Sequence, residues 1–365
     1  MTVKDINTAK VSWGKAGLVF ISLTSLFLVL KEPQLSVDYV TRGMKLCVTT
    51  LIPSLFPFMV ISEIIVLFGA AEIFGKPLDK ISRLLFGVSG EGASALVLGI
   101  FCGFPVGTRV SLSLYRAGRI CRSELDRLIC FSNNPSSAFV IGAVGSVLFS
   151  CRKFGVALYF TTIASSFLVG IGQNVLLGRK NIFSQPISSV RKEERGRGIS
   201  AFADAVSSSA LAMLKICGFV VFFSSFTGVL GSVLSSFGAS QTVKAVLFSF
   251  FELSCGVASA AGITDSFVAA LVAAFAVGWS GISVHFQMIG ICDEVRPPLM
   301  RYFFAKLCQA LINVLLIAIY LNFFAKDIVL DSKSVGAFLL FDSSLSSLAI
   351  FIVVLFFVCL FVRRK

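Results

Sequence analysis

The sequence predicts an all-α polytopic membrane protein with about eight transmembrane helices and two re-entrant hairpins arranged as an inverted repeat. Of its 365 residues, 56% are apolar and only 14% are charged, whereas about a quarter of the residues in a soluble domain are charged. Ten apolar segments follow one another, and most reach the ~20 residues that a helix needs to cross ~30 Å of hydrocarbon. Lysines and arginines concentrate in the short connections between these segments, as orientation signals do.

The first predicted element is a transmembrane helix at residues 13–30. Lysines precede it, as in a signal peptide, but Lys31, Glu32 and Pro33 follow it in place of a small-residue cleavage site. We therefore predict an uncleaved span, which with its loop makes an N-terminal unit at residues 1–43. The other apolar segments run approximately over 44–69, 93–115, 125–150, 153–178, 205–237, 243–264, 266–291, 300–324 and 344–362.

The segments at 93–115 and 243–264 contain residues that interrupt a helix near its middle. These residues are Gly99, Gly103, Pro105 and Gly107 in the first segment, and Glu252, Gly256 and Gly262 in the second. Glycine and proline allow a tight chain reversal. Each segment is therefore predicted to be a re-entrant hairpin, in which two half-helices of about ten residues meet near the middle of the bilayer and return.

The distribution of basic residues fits this assignment. With eight spans and two hairpins, the connections on one side carry 21 Lys or Arg residues and those on the other side carry 8. Short cytoplasmic loops are enriched in basic residues, so both termini are predicted to be cytoplasmic. These loops also account for the net charge of +13, and no basic segment interleaved with aromatic residues predicts a nucleic-acid partner.

The same layout predicts a repeat. Residues 44–178 and 205–324 each comprise a span, a hairpin, a broken span and a span, joined by a basic cytoplasmic linker at 179–204. Three crossings in each unit place the second unit upside down relative to the first. A last unit, residues 325–365, holds a C-terminal transmembrane helix and a basic tail. Inverted repeats with broken helices are typical of secondary transporters.

The candidate site residues of the first unit lie at its two interruptions. A turn at Gly103 and Gly107 leaves backbone N–H groups without helical partners, and such groups bind anions. Thr108 and Arg109 follow this turn, and a charged residue at such depth predicts a function; the alternative is that Arg109 pairs locally or extends to the surface. The span at 125–150 is interrupted by polar residues around a proline, of which Asn133, Asn134 and Ser136 are candidate solute ligands.

The second unit offers matching positions. The hairpin turn carries Glu252 and Ser254, and the broken span 266–291 carries four polar candidates around its glycines: Ser280, Ser283, His285 and Gln287. His285 is the one histidine in the chain. It is predicted either to accept a proton beside Glu252 or to be structural, and these alternatives stay open.

Three other charged residues lie in apolar segments, and for Lys215 a functional and a structural role both stay open. Lys215 is a candidate to neutralise Glu252. Glu63 and Lys306 lie close to predicted helix ends, so their charged groups are expected to extend to the membrane surface.

No motif predicts catalysis or a cofactor. The sequence contains no P-loop, GxSxG or HExxH pattern, and its ten cysteines are scattered without metal-ligand spacing. The protein is therefore predicted not to be an enzyme and to bind no metal. A coupling proton or sodium ion is left open.

Several motifs resemble one known family, the sporulation integral membrane proteins of the YlbJ type, to which stage V sporulation protein V also belongs. They are Leu51–Phe58 (LIPSLFPF), Cys102–Gly107 (CGFPVG), Phe131–Asn134 (FSNN) and Gly281–Gln287 (GISVHFQ). The resemblance implies a nucleoside-recognition (gate) domain and an architecture similar to concentrative nucleoside transporters. It also implies transport of dipicolinic acid across the outer forespore membrane during sporulation.

The function predicted from sequence is therefore membrane transport of a small polar or anionic solute, with dipicolinate as the leading substrate. Arg109 would bind a carboxylate of that solute between the hairpin turns and the broken spans. The alternatives are a nucleoside transporter and a non-transporting sporulation scaffold. The predicted partners are the solute and the lipid bilayer of the cell membrane or outer forespore membrane, while self-association is left open.

Overall fold

A computed structural model describes residues 30–67, 75–178, 199–292 and 295–324, together with positions 23, 26 and 27. Within these ranges the chain forms helices joined by turns and short irregular segments, without any β-strand. Most of the predicted helix at 13–30, most of the linker at 179–204 and the whole predicted helix at 344–362 lie outside the described residues. The all-α class predicted from sequence is confirmed for the described part.

The α-helices are α1 (Pro33–Leu46), α2 (Ile52–Leu67), α3 (Asp79–Leu85), α4 (Gly90–Cys102), α5 (Val106–Arg116), α6 (Arg122–Phe131), α7 (Arg152–Leu177), α8 (Ile199–Ser236), α9 (Gln241–Phe251), α10 (Leu253–Ala260), α11 (Ser266–Trp279), α12 (Gly281–Ile291) and α13 (Leu299–Phe324). Wider π-type helical turns cover Cys47–Leu51 and Ala138–Leu148, and a 3₁₀ turn covers Lys76–Leu78.

Four described helical segments are long and apolar enough to cross a membrane: Arg152–Leu177, Ser200–Ser236, Ser266–Ile291 and Leu299–Phe323. A fifth results if the segments Lys76–Leu85 and Gly90–Cys102, which are bent by 92°, form one broken span. Each of the four contains at least the ~20 residues that the hydrocarbon core requires. The described chain is therefore built as a membrane protein.

The segment after the predicted first span is helical, although we predicted a loop there. Helix α1 begins with Pro33 at its first turn, where a missing N–H is tolerated. Its Ser36 hydroxyl lies 2.7 Å from that of Ser225 on α8. At Gly43 of α1, an added Cβ would lie 3.1 Å from Ser224 of α8. Small and polar residues let two helices approach closely, so packing on α8 makes this segment helical.

Both predicted chain reversals are present. Helices α4 and α5 meet at residues 103–105, here called the first tip, and a Cβ added to Gly99 of α4 would lie 3.0 Å from Cα of Gly107 on α5. Helices α9 and α10 meet at Glu252, the second tip, and Gly256 of α10 lies against Ser249 of α9. Glycine permits the close backbone contact in both hairpins.

Both predicted helix breaks are also present. The first break, residues 132–136, separates α6 from the π-type turns at 138–148. Pro135 lies within it and supplies no backbone donor. The second break is Ser280, whose backbone is left-handed (φ 77°) between α11 and α12. A non-glycine residue in this conformation is uncommon and often marks a functional site.

Two apolar clusters surround these interruptions. The first includes Phe131 of α6 and Tyr302 of α13, and the second includes Leu158 of α7 and Ile317 of α13. Helix α13 thus contributes its first half to one cluster and its second half to the other. Lys306 lies between Ala305 and Cys308, in the part of α13 that contributes to the first cluster.

Candidate functional site

The first tip is in backbone contact with the first break. Gly103 has φ +82°, and a Cβ added to it would lie only 2.6 Å from the backbone N of Ser136. At both Gly99 and Gly107, a Cβ would lie 2.1 Å from the carbonyl oxygen of Ser132. Since real Cβ atoms do not approach so closely, the three glycines allow the hairpin to pack on the broken backbone.

The second tip has the same relation to the second break. Gly281, which follows the break, has φ +79°, and its added Cβ would lie 2.9 Å from the backbone N of Leu253 and 3.0 Å from Cα of Glu252. Beside this contact, the indole N–H of Trp279 donates to the carbonyl oxygen of Phe250 at 3.1 Å. Each hairpin tip therefore packs on the break that follows it in the chain.

A cavity of about 80 Å³ lies where these two junctions face each other. Its volume provides room for several water molecules. Four polar side chains line it, all of them predicted site residues: Ser136, Glu252, Ser254 and Gln287. The apolar lining comes from Leu51, Leu55, Phe104, Pro135, Ala138, Phe139, Ile216, Val220, Leu253 and Val284. Both tips, the first break and helix α12 therefore contribute to one site.

Glu252 provides the strongest electrostatic feature of the cavity. It is only 2% exposed, and one of its carboxylate oxygens accepts the backbone N–H of Cys255 at 2.7 Å. This N-capping contact places the carboxylate at the positive end of α10, where a negative charge is favoured. No basic side chain is among the described residues that line the cavity. The site therefore offers hydrogen-bond acceptors to a solute.

Arg109 lies outside this lining. Its Nε donates to Glu63 of α2 at 3.1 Å and its Nη2 donates to Ser208 of α8 at 2.6 Å. Ser113 donates to the other oxygen of Glu63 at 3.3 Å. The prediction that Glu63 extends to the membrane surface is thus wrong, because it is bound by the buried Arg109 and by Ser113, both on α5. Thr108 beside Arg109 is fully buried, and its hydroxyl finds no partner among the described residues.

Asn134 is engaged in structure rather than pointing into the cavity. Its amide donates to the carbonyl oxygen of Phe131 at 3.0 Å and to Ser166 at 3.1 Å, and its oxygen accepts from Gln309 at 2.7 Å. Asn133 differs: its side chain is buried beside the Tyr302 hydroxyl, and within the described chain neither amide atom makes a hydrogen bond of good geometry. The first break thus contains one satisfied and one unsatisfied amide.

Lys306 is the clearest error of the sequence prediction. Rather than extending to a membrane surface, it is fully buried. Its ammonium donates to the backbone oxygen of Asn133 in the first break and to Gln309 at 2.9 Å. The spacing of Tyr302, Lys306, Gln309 and Asn313 places them on one face of α13. That polar stripe was the sequence signal for a residue facing the protein interior.

His285 occupies an aromatic environment. Its ring shares a hydrogen bond of 2.9 Å with the Tyr302 hydroxyl, and the Trp279 and Phe303 rings lie 4.4 and 5.1 Å away between centroids. It is not among the residues that line the cavity with Glu252. Ser283 accepts a hydrogen bond from Gln287 at 3.3 Å and so orients a side chain of the cavity wall.

Lys215 does not neutralise Glu252 as we predicted. It is exposed and donates to the carbonyl oxygen of Gly290 at 3.4 Å. Gly290 lies nine residues beyond Gly281, the neighbour of Glu252, which is about 13 Å along helix α12 at ~1.5 Å per residue. The lysine therefore interacts near the end of that helix.

The described ranges contain no group of three or more His, Cys, Asp or Glu side chains arranged to hold a metal ion. None of the described cysteines forms a disulfide bond. The chemistry of the candidate site is consequently hydrogen bonding around one carboxylate in an apolar cavity.

The apolar spanning helices and their interruptions define the class: this is an integral membrane protein with a largely apolar cavity, containing one carboxylate, between broken helices. The sporulation integral membrane protein YlbJ of Bacillus subtilis (strain 168) is 28% identical to it over 334 residues, covering 83% of this chain and 81% of the relative. This similarity extends over most of the chain and supports the resemblance to the YlbJ-type family that the motifs predicted. No family model and no solved structure matches it.

Proposed function

We propose that this protein transports a small polar solute across a membrane through the cavity lined by the two tips, the first break and helix α12. The observation that carries the proposal is the position of Glu252, a buried carboxylate that lines a cavity enclosed by interrupted membrane helices. Sites at broken helices near the middle of the bilayer are the usual construction of secondary transporters.

The proposed membrane arrangement is an inverted repeat of two units, with eight spans in all and both termini in the cytoplasm. The order of elements supports it. Helix α2, the α4–α5 hairpin, the first break and α7 occur in the same sequence as α8, the α9–α10 hairpin, the second break and α13. In each unit the hairpin tip contacts the break that follows it, which is the relation expected of two copies of one ancestral unit.

Two substrate classes are proposed, on different grounds. The resemblance implies dipicolinate, and the relative's name as a sporulation integral membrane protein supports testing it, with the outer forespore membrane as location. The cavity favours a neutral solute with hydroxyl groups, such as a nucleoside, because its polar lining is Glu252 with Ser136, Ser254 and Gln287 and contains no cation. A carboxylate accepts hydrogen bonds from hydroxyl groups and repels an anion.

Uptake into proteoliposomes tests the proposal. Wild-type protein and Glu252→Gln are compared with labelled dipicolinate and labelled uridine, each with an excess of the unlabelled other solute. A lost hydrogen bond to a charged group is worth about 1.5–3 kcal/mol, which corresponds to a loss of roughly ten-fold to a hundred-fold in affinity. We expect Glu252→Gln to lower uptake of the transported solute by that factor.

The matched control is Glu124→Gln. Glu124 is also a buried carboxylate, 4% exposed, that accepts backbone N–H groups at a helix start, but it does not line the cavity. It is expected to retain uptake. If Glu252→Gln and Glu124→Gln transport equally well, Glu252 does not bind the solute. If wild-type protein takes up neither solute and neither one raises its unfolding temperature, a non-transporting scaffold is favoured.

A further inference from the structure

Lys306 is a buried basic residue whose hydrogen-bond partners, among the described residues, are neutral groups. It lies on α13, one of the segments able to span a membrane, and no part of its side chain reaches the surface. Within the described ranges its hydrogen-bond partners are two neutral oxygens, Asn133 O and Gln309 Oε1, and no carboxylate forms an ion pair with it. A charged residue inside a membrane costs at least about 2.5–3.5 kcal/mol to insert, so such a residue is expected to have a function.

The backbone oxygen of Asn133, which accepts a hydrogen bond from Lys306, indicates the kind of site. Asn133 belongs to the first break, just beyond the end of α6, where carbonyl groups lack helical donors. Carbonyl oxygens of interrupted helices, together with the negative ends of half-helices, are the groups that bind the coupling cation in many transporters. Here the ammonium of the protein's own lysine is held by such an oxygen.

The surroundings of Lys306 are those of a small-cation site. Gln309, which accepts from the ammonium through Oε1, donates through its amide to Asn134 of the same break. The Asn133 side chain, fully buried at the same place, makes no hydrogen bond of good geometry in the described chain. Two residues further on, Pro135 and Ser136 line the solute cavity. The cation and the solute would therefore act on opposite sides of one broken segment.

We propose that the Lys306 ammonium is a tethered replacement for a coupling sodium ion, so that the protein holds its first break in shape and binds its solute without sodium. The part of this inference that concerns solute binding rests on the proposed transport function. The occupation of the carbonyl site by Lys306 is tested without any solute.

The first experiment measures the unfolding temperature of the purified full-length protein in sodium chloride and in N-methylglucamine chloride at equal ionic strength. Wild type is expected to unfold at the same temperature in both salts. Lys306→Ala, which leaves space at the carbonyl oxygen, is expected to unfold roughly 5 °C or more lower in N-methylglucamine and to recover stability in sodium. Lys215→Ala, the matched control at an exposed lysine, is expected to show no difference between the salts.

Three results would overturn the inference: a wild-type protein stabilised specifically by sodium, a Lys306→Ala protein that sodium does not stabilise, or a Lys215→Ala protein that responds as Lys306→Ala does. Because Lys306→Ala can fail to fold, Lys306→Arg is measured as well. It keeps a cation and is expected to be indifferent to sodium, so a sodium requirement in this variant would also refute the inference.

The second experiment measures uptake by wild-type proteoliposomes in the two salts. Equal uptake rates are expected in the two salts. Uptake that requires sodium would show that Lys306 does not replace the ion, although the proposed transport function would still hold. If no solute is taken up in either salt, the proposed function fails, and the unfolding comparison still decides whether Lys306 occupies a cation site.

Discussion

Replacement of Gly103 by alanine tests the contact between the first tip and the first break. Gly103 has φ +82° and ψ −174°, a conformation that is essentially restricted to glycine. A Cβ at this position would lie 2.6 Å from the backbone N of Ser136 and 2.7 Å from its Cβ. Because neither neighbouring atom is the flexible end of a side chain, the backbone of the first tip and that of the first break must move apart in Gly103→Ala.

The expected loss of stability combines two effects. The unfavourable backbone conformation costs about 1–3 kcal/mol, and overpacking of a close contact costs about 1–3 kcal/mol. If the two effects add, Gly103→Ala lowers the free energy of unfolding by about 2–6 kcal/mol. A loss of this size is a large part of the stability of a typical protein.

The assay is thermal unfolding of the purified protein, followed by the fluorescence of its two tryptophans. Gly172→Ala serves as the control, because Gly172 lies within α7 and no atom lies within 4 Å of its added Cβ. That substitution should be neutral or stabilise the helix by up to about 1 kcal/mol. An unfolding temperature of Gly103→Ala equal to that of Gly172→Ala would refute the contact between tip and break.

Three further predictions concern the packing around the cavity. Gly281→Ala is expected to lower the unfolding temperature as Gly103→Ala does, since its Cβ would meet the backbone of the second tip at 2.9 Å; an unchanged temperature contradicts this. Arg109→Met should cost about 3–5 kcal/mol by leaving Glu63 unpaired, and a double-mutant cycle with Glu63→Gln should show coupling, whereas additive losses would exclude the ion pair. Asn134→Ala removes three hydrogen bonds and should cost about 1–3 kcal/mol in chemical unfolding, against almost no loss for Asn322→Ala, whose exposed amide bonds only to its own helix; equal losses would contradict the structural role of Asn134.

Glycine and proline made the interruptions predictable from sequence. Gly103 and Pro105 at one turn, and Pro135 in the first break, have conformational properties that act locally and therefore appear in the sequence itself. Glu252 at the second tip was predicted from its charge within an apolar segment. These local signals sufficed to predict the two hairpins, the two breaks and four of the residues that line the cavity.

The errors concern residues whose environment is created by distant parts of the chain. Glu63 and Arg109 are 46 positions apart, and Asn133 and Lys306 are 173 positions apart. Distance from a predicted helix end suggested that Glu63 and Lys306 reach water, but the rotation of each helix decides which way a side chain points. The apolar cavity wall was missed for the same reason, because an inward-facing leucine does not differ in sequence from one that faces lipid.

The packing of each tip on its own break also limits the route by which a solute would enter under the proposed function. The closest contacts at Gly103 and Gly281 in these junctions are with backbone atoms, which cannot rotate aside as a side chain can. Elsewhere in the lining, Leu51 and Leu55 on the α2 side and Ile216 and Val220 of α8 are aliphatic, and aliphatic side chains change rotamer rapidly compared with helix movements. Passage is therefore expected between α2 and α8, where the bulk of these four residues would select solutes by width before Glu252 selects them by chemistry.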